Sequence, residues 1–96
     1  MSGRKKIQRN IEADLSHICF KPCGIRKIYL EKIELYEDEM EAIRLSDYEG
    51  LYQQECADKM GISRTTFARL IESARKKTAD ALLHSKALRI EQKETK

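Results

Sequence analysis

The residues best suited to chemistry are two guanidinium groups five positions apart, Arg64 and Arg69, set among Ser63, Thr65, Thr66 and Ala68. On a helix, positions 64, 65, 68 and 69 share one side. An arginine fork fits the two major-groove acceptors of guanine. A threonine hydroxyl bonds to a base or a phosphate, its methyl meets the thymine methyl, and alanine lets a helix approach closely. Ser63 is a good N-cap, and the N-terminus it closes favours a phosphate. Arg75, Lys76 and Lys77 follow two to three turns on, where a helix leaving a groove passes the sugar-phosphate backbone. These nine residues are the candidate nucleic-acid site. A basic stripe is also what an ordinary solvated helix face looks like, so the elements that carry it must decide between the two readings.

Those elements are helices. Phe67, Leu70, Ile71, Ala74, Thr78, Ala81 and Leu82 recur at steps of three and four and form one apolar stripe on a helix from Ser63 to about Leu83, roughly 30 Å long. Upstream, Cys56, Ala57 and Met60 put an apolar side on a short helix over Gln53 to Met60. Met60, Gly61, Ile62 and Ser63 join the two. A short helix, a Gly-containing turn and a capped second helix is the sequence form of a helix-turn-helix. The crossing needs a small inward residue, supplied by Ala57, and a left-handed turn residue, supplied by Gly61. Cys56, Met60, Ile62, Phe67 and Leu70 can fill the space between the helices. Earlier still, Glu37 to Asp47 turns helical, with acids in its first turn and Gly50 at its end. Before about Leu35 the pattern is irregular, punctuated by Pro22 and Gly24, and the apolar groups at 18–20 and 28–35 suit extended pieces.

With 96 residues, of which 41% are hydrophobic and 36% charged, the chain has room for one small core. One Pro and four Gly are too few for a turn-rich β-sandwich, and no apolar run approaches a membrane span. An intracellular, cytoplasmic protein is expected. The net charge of +3 identifies no partner, but its distribution is blocked. Arg4, Lys5, Lys6 and Arg9 open the chain without an acid, as an arm for a minor groove or as a polar tail. Positions 34–50 hold Glu34, Glu37, Asp38, Glu39, Glu41, Asp47 and Glu49 against Arg44 alone, which reads as a solvated acidic face. Positions 63–77 are basic.

Three cysteines without a secretory context favour free thiols. His17, Cys19 and Cys23, joined by Cys56, offer four zinc ligands in principle. Their spacing lacks the usual pair of cysteines with two residues between them, and Cys56 is needed in the helical core, so no metal and no cofactor is expected. His17 and His84 are far apart, and no phosphate-binding or nucleophile signature is present. An enzyme is not expected.

The strings Asp38 to Leu45, Asp47 to Leu51, Ala57 to Phe67, Ala79 to Leu82 and Lys86 to Ile90, with Phe20-Lys21-Pro22 and Gly24-Ile25, resemble a family of small prokaryotic predicted DNA-binding proteins over roughly residues 18 to 90. In that family the helix-turn-helix is similar to region four of sigma factors. The resemblance implies DNA binding and a transcriptional role. Cys23 and Tyr36 depart from its pattern, the second where a Ser or Thr helix cap is common.

The expectation is therefore a mainly α protein with a three-helix, helix-turn-helix core and an extended N-terminal segment with room for a short strand. Residues 1–35 form that basic segment, 36–83 the DNA-binding domain and 84–96 a polar tail that frays. Double-stranded DNA is the expected partner. A homodimer or higher homo-oligomer is expected too, since one module reads few base pairs. Contact with RNA polymerase is the alternative, as an adaptor using the same helices without DNA.

Overall fold

The structure, a computed structural model, describes residues 18–91. The elements run β1 (Cys19–Phe20), a 3₁₀ turn (Lys27–Tyr29), β2 (Lys32–Tyr36), α1 (Glu37–Ile43), a wide π-type turn (Arg44–Tyr48), α2 (Gln53–Met60), α3 (Arg64–His84) and β3 (Ala87–Glu91). Three helices and a small sheet give the expected mainly α architecture. The basic arm at 4–9 and His17 lie outside the described residues.

Both short helices begin in the same way. No side chain caps α1 at Tyr36; instead the Tyr36 N–H donates to Glu39 Oε1 at 2.9 Å, and at α2 the Tyr52 N–H donates to Glu55 Oε1 at 3.0 Å. This is the returning half of a capping box, built twice by Tyr-x-x-Glu. It removes the difficulty posed by Tyr36, because one orphan donor is satisfied from the third helical position. The Glu49 N–H then reaches back to the Arg44 carbonyl at 2.8 Å, and Gly50, at φ +76°, releases the chain.

Gly61 closes α2 at φ +71°, with the Ile62 N–H on the Ala57 carbonyl at 3.0 Å. That bond is the Schellman arrangement, which needs a left-handed residue. A Cβ added at Gly61 meets nothing within 4 Å, so the cost of Gly61→Ala is backbone strain alone. A loss of about 1 kcal/mol in a urea melt is expected, without change of fold.

The core has two parts. Ala42, Leu45, Cys56, Ala57, Phe67 and Ile71 bury the helix crossing, while Leu35, Ala74 and Ile90 bury α3 against the sheet; Ile43 packs on both. Phe67 is fully buried and contributes roughly 2–3 kcal/mol by removal from water. Two expectations need correction. Residues 87–91 do not fray: Ser85, left-handed at φ +55°, ends α3 and turns the chain back. Ala87 and Ile90 are thereby buried in β3, the centre of the order β1-β3-β2, antiparallel to β1 and parallel to β2. The apolar stripe of α3 ends at Ala81, and Leu82 is 78% exposed, because one further residue rotates it about 100° away.

Candidate nucleic-acid interface

The first three turns of α3 are held by the crossing with α2. Ala57 and Cys56 are fully buried under Phe67, so the axes approach closely and the opposite side of α3 is directed to solvent. At its start the Ser63 Oγ accepts from the Thr66 N–H at 3.0 Å and donates to Thr66 Oγ1 at 2.9 Å. Ser63 and Thr66 therefore form the cap. Arg64, Thr65, Thr66 and Arg69 are exposed and Ala68 half-buried, which places the N-terminal members of the candidate site together on one surface.

The cations of the helical region sort into two groups. Arg44 pairs with Glu41 at 2.6 Å and Glu49 at 3.3 Å. Arg75 donates to Asp47 at 2.6 Å and to the Ser46 hydroxyl at 3.2 Å. Its guanidinium holds the Asp47 carboxyl below the usual carboxylate range. Lys77 donates to Glu39 Oε1 and to the Glu34 carbonyl, each at 2.8 Å, and lies 4.6 Å from the Tyr36 ring centre. By contrast, Lys59, Arg64, Arg69 and Lys76 have no hydrogen-bond or ion-pair partner among the described residues. Of the nine residues singled out in the sequence, Arg75 and Lys77 thus brace the fold, whereas Arg64, Arg69 and Lys76 present uncommitted charge.

Sequence reasoning missed the role of Glu39. Only 4% exposed, it accepts from the Tyr36 N–H, from Lys77 and, at 2.6 Å, from the Ser73 hydroxyl. The acidic block is therefore more than a solvated face: Glu39 locks α1, β2 and α3 together. Burial pushes its carboxyl up, but the bonds from Lys77, Ser73 and the Tyr36 N–H outweigh this and leave it below the ordinary value. A carboxylate held lower in the folded chain binds its proton more readily once unfolded. Its stabilising contribution is thus complete above the ordinary glutamate range and is lost as pH falls through the lowered folded value. Acid titration followed by circular dichroism should show an unfolding transition that Glu39→Gln makes shallower. The Tyr-x-x-Glu start was the available signal, although it does not reveal partners 34 and 38 residues away.

The Cys56 sulfur lies buried, 3.7 Å from the Leu51 carbonyl, and burial pushes its thiol up. No group of three potential metal ligands gathers among the described residues. Nor is any helix there long and apolar enough to cross a membrane.

These elements define a three-helix domain in which a short helix, a left-handed turn and a long capped helix are braced by a small mixed sheet. Within that class the chain belongs to the protein family of unknown function DUF134, whose model matches residues 1–96. A UPF0251 protein of Prosthecochloris aestuarii is 50% identical over 90 residues, 94% of this chain and 58% of that protein. UPF0251 protein TTE1845 of Caldanaerobacter subterraneus is 58% identical over 72 residues, 75% of this chain and 61% of that protein. UPF0251 protein VPA0321 of Vibrio parahaemolyticus is 48% identical over 86 residues, 90% of each chain. The chain thus spans about three fifths of the first and second of these relatives and nine tenths of the third. No solved structure matches it.

Proposed function

We propose that the protein binds double-stranded DNA sequence-specifically, with α3 as the recognition helix and α2 as its support, and acts in transcriptional control in the cytoplasm as a homo-oligomer. The observation that carries this reading is the sorting of the cations: among the described residues, Arg44, Arg75 and Lys77 are paired with carboxylates, while Lys59, Arg64, Arg69 and Lys76 are not. A charge without an internal partner is available to an external one. Arg64, Thr65, Ala68 and Arg69 offer the chemistry of base edges, and Lys76 that of phosphate. Ser63 and Thr66 present the capped helix N-terminus, whereas Arg75, 53% exposed, is held by Asp47 and Ser46 and contributes less to the site. The likeness to region four of sigma factors supports the same docking.

Fluorescence anisotropy on mixed-sequence duplexes at two salt concentrations tests the proposal. Affinity should fall steeply with salt, and Lys76→Ala should reduce the slope of log K against log salt by about 1, the counterions of one phosphate. Flat titrations at low salt would replace this reading by an adaptor that meets RNA polymerase without touching DNA.

A further inference from the structure

We propose that Glu72, on the outward side of α3, reads a cytosine in the major groove, and that its charge disfavours duplexes without that base at that position. The inference rests on the DNA-binding reading and adds to it a residue of the recognition face that the nine candidates leave out. At about 100° per residue, Thr65, Arg69, Glu72 and Lys76 fall within about 60° of one another around the helix, turned away from the buried Phe67, Ile71 and Ala74. All four are exposed. Along the axis Glu72 stands about 4.5 Å beyond Arg69 and about 6 Å before Lys76, so a surface that meets both cations meets this carboxylate as well.

The carboxylates of α2 and α3 sort as the cations do. Glu55 accepts from the Tyr52 N–H at 3.0 Å, Asp58 accepts from the Gln54 amide at 2.9 Å, and Asp80 meets His84 at 2.7 Å and Lys86 at 3.2 Å. Glu72 has no hydrogen-bond or ion-pair partner among the described residues. Two cations stand within helical reach of it. Lys76 follows at i+4, the favourable order for a Glu–Lys pair, without closing one, and Arg75 at i+3 is bonded to Asp47 instead. An unpaired acid amid a basic face repels phosphate and so weakens attraction to DNA in general. Its charge becomes favourable only where a duplex supplies a donor.

The floor of the major groove offers a carboxylate two donors, the exocyclic amines of cytosine and adenine. Beside the adenine amine lies the N7 acceptor, whose lone pair opposes the second carboxylate oxygen. Beside the cytosine amine lies a ring C–H. Guanine and thymine turn acceptors toward the same space, so cytosine is the base that satisfies Glu72. The short rise from Arg69 places that cytosine within roughly one or two base steps of a guanine read by Arg69.

Selection of bound duplexes from a random pool, by the full chain and by Glu72→Gln and Glu72→Ala, decides the assignment. The unaltered chain should select a cytosine at one position. Glu72→Gln should move that position to adenine, because an amide bonds to the adenine amine and N7 together, and Glu72→Ala should leave it open to any base. In anisotropy, Glu72→Ala should bind mixed-sequence duplexes about 5-fold more tightly at low salt, a gain that shrinks as salt screens the lost repulsion, while discriminating roughly 10-fold less at the cytosine. Thermal melts of both variants should match the unaltered chain, since the side chain is exposed. If all three proteins select the same duplexes, or Glu72→Ala binds mixed duplexes no more tightly, Glu72 is an ordinary solvated residue of the helix face and the proposal is overturned. The two readings fail differently. Salt-dependent binding that is indifferent to both variants removes only Glu72, whereas a chain that selects no duplex at low salt removes the DNA-binding reading and this inference with it.

Discussion

Lys77→Met is expected to lower the unfolding free energy by about 3 kcal/mol, roughly 15 °C in melting temperature for a domain of this size. The change keeps the apolar stem and its packing but removes the ammonium that neutralises Glu39. Among the described residues, a carboxylate 4% exposed then retains only the Ser73 hydroxyl and the Tyr36 N–H. The Glu34 carbonyl loses a donor, and the cation over the Tyr36 ring disappears. Breaking such a pair from one side leaves a buried charge without its counter-ion, which costs more than the pair itself contributes. The sign of the double change follows. Adding Glu39→Gln removes the orphaned charge while keeping an acceptor for Ser73 and Tyr36, so Lys77→Met with Glu39→Gln should be more stable than Lys77→Met alone. Thermal melts of the four proteins form the cycle. Equal or lower stability of the double variant would show that Lys77 acts through packing and that Glu39 is not held by its charge.

Arg64→Ala and Arg69→Ala carry the second large effect, on binding rather than stability. Both side chains are exposed and neither has an internal partner among the described residues, so melting temperature should hardly move. If each forks onto a guanine, its loss costs roughly 10- to 100-fold on the preferred duplex and much less on a mismatched one. The profile is thus distinguishable from that of a phosphate contact, which weakens all duplexes alike. A uniform loss across sequences would place these arginines on the backbone. No loss would remove them from the interface.

Most of the helical architecture was legible in the sequence because it follows from local rules. Gln53–Met60 and the start after Ser63 are fixed by apolar spacing, by Gly61 with its required positive φ and by a serine cap. The sheet was less legible. Strand β3 is five residues long and carries Arg89 and Glu91 among its apolar positions, so alone it resembles a polar tail. What makes it a strand is distant: pairing with β2 and β1, and burial of Ile90 against Leu35 and Ala74. The left-handed Ser85 that aims it there has no glycine to announce it. The candidate surface divided along the same line. Which residues face outward from α3 follows from its period, but which of them are already spent does not. Asp47 lies 28 residues before Arg75 and Glu39 lies 38 before Lys77, and only the fold brings each pair together.

Amide chemical-shift mapping of the full chain against a short duplex, at low and then moderate salt, tests most directly whether the outward side of α3 is the DNA face. Shifts confined to the α2–α3 turn, to residues 63–69, to Glu72 and to Lys76, reversed by added salt, are the predicted result. An unperturbed spectrum, or shifts centred on the acidic α1 side with α3 silent, would contradict it.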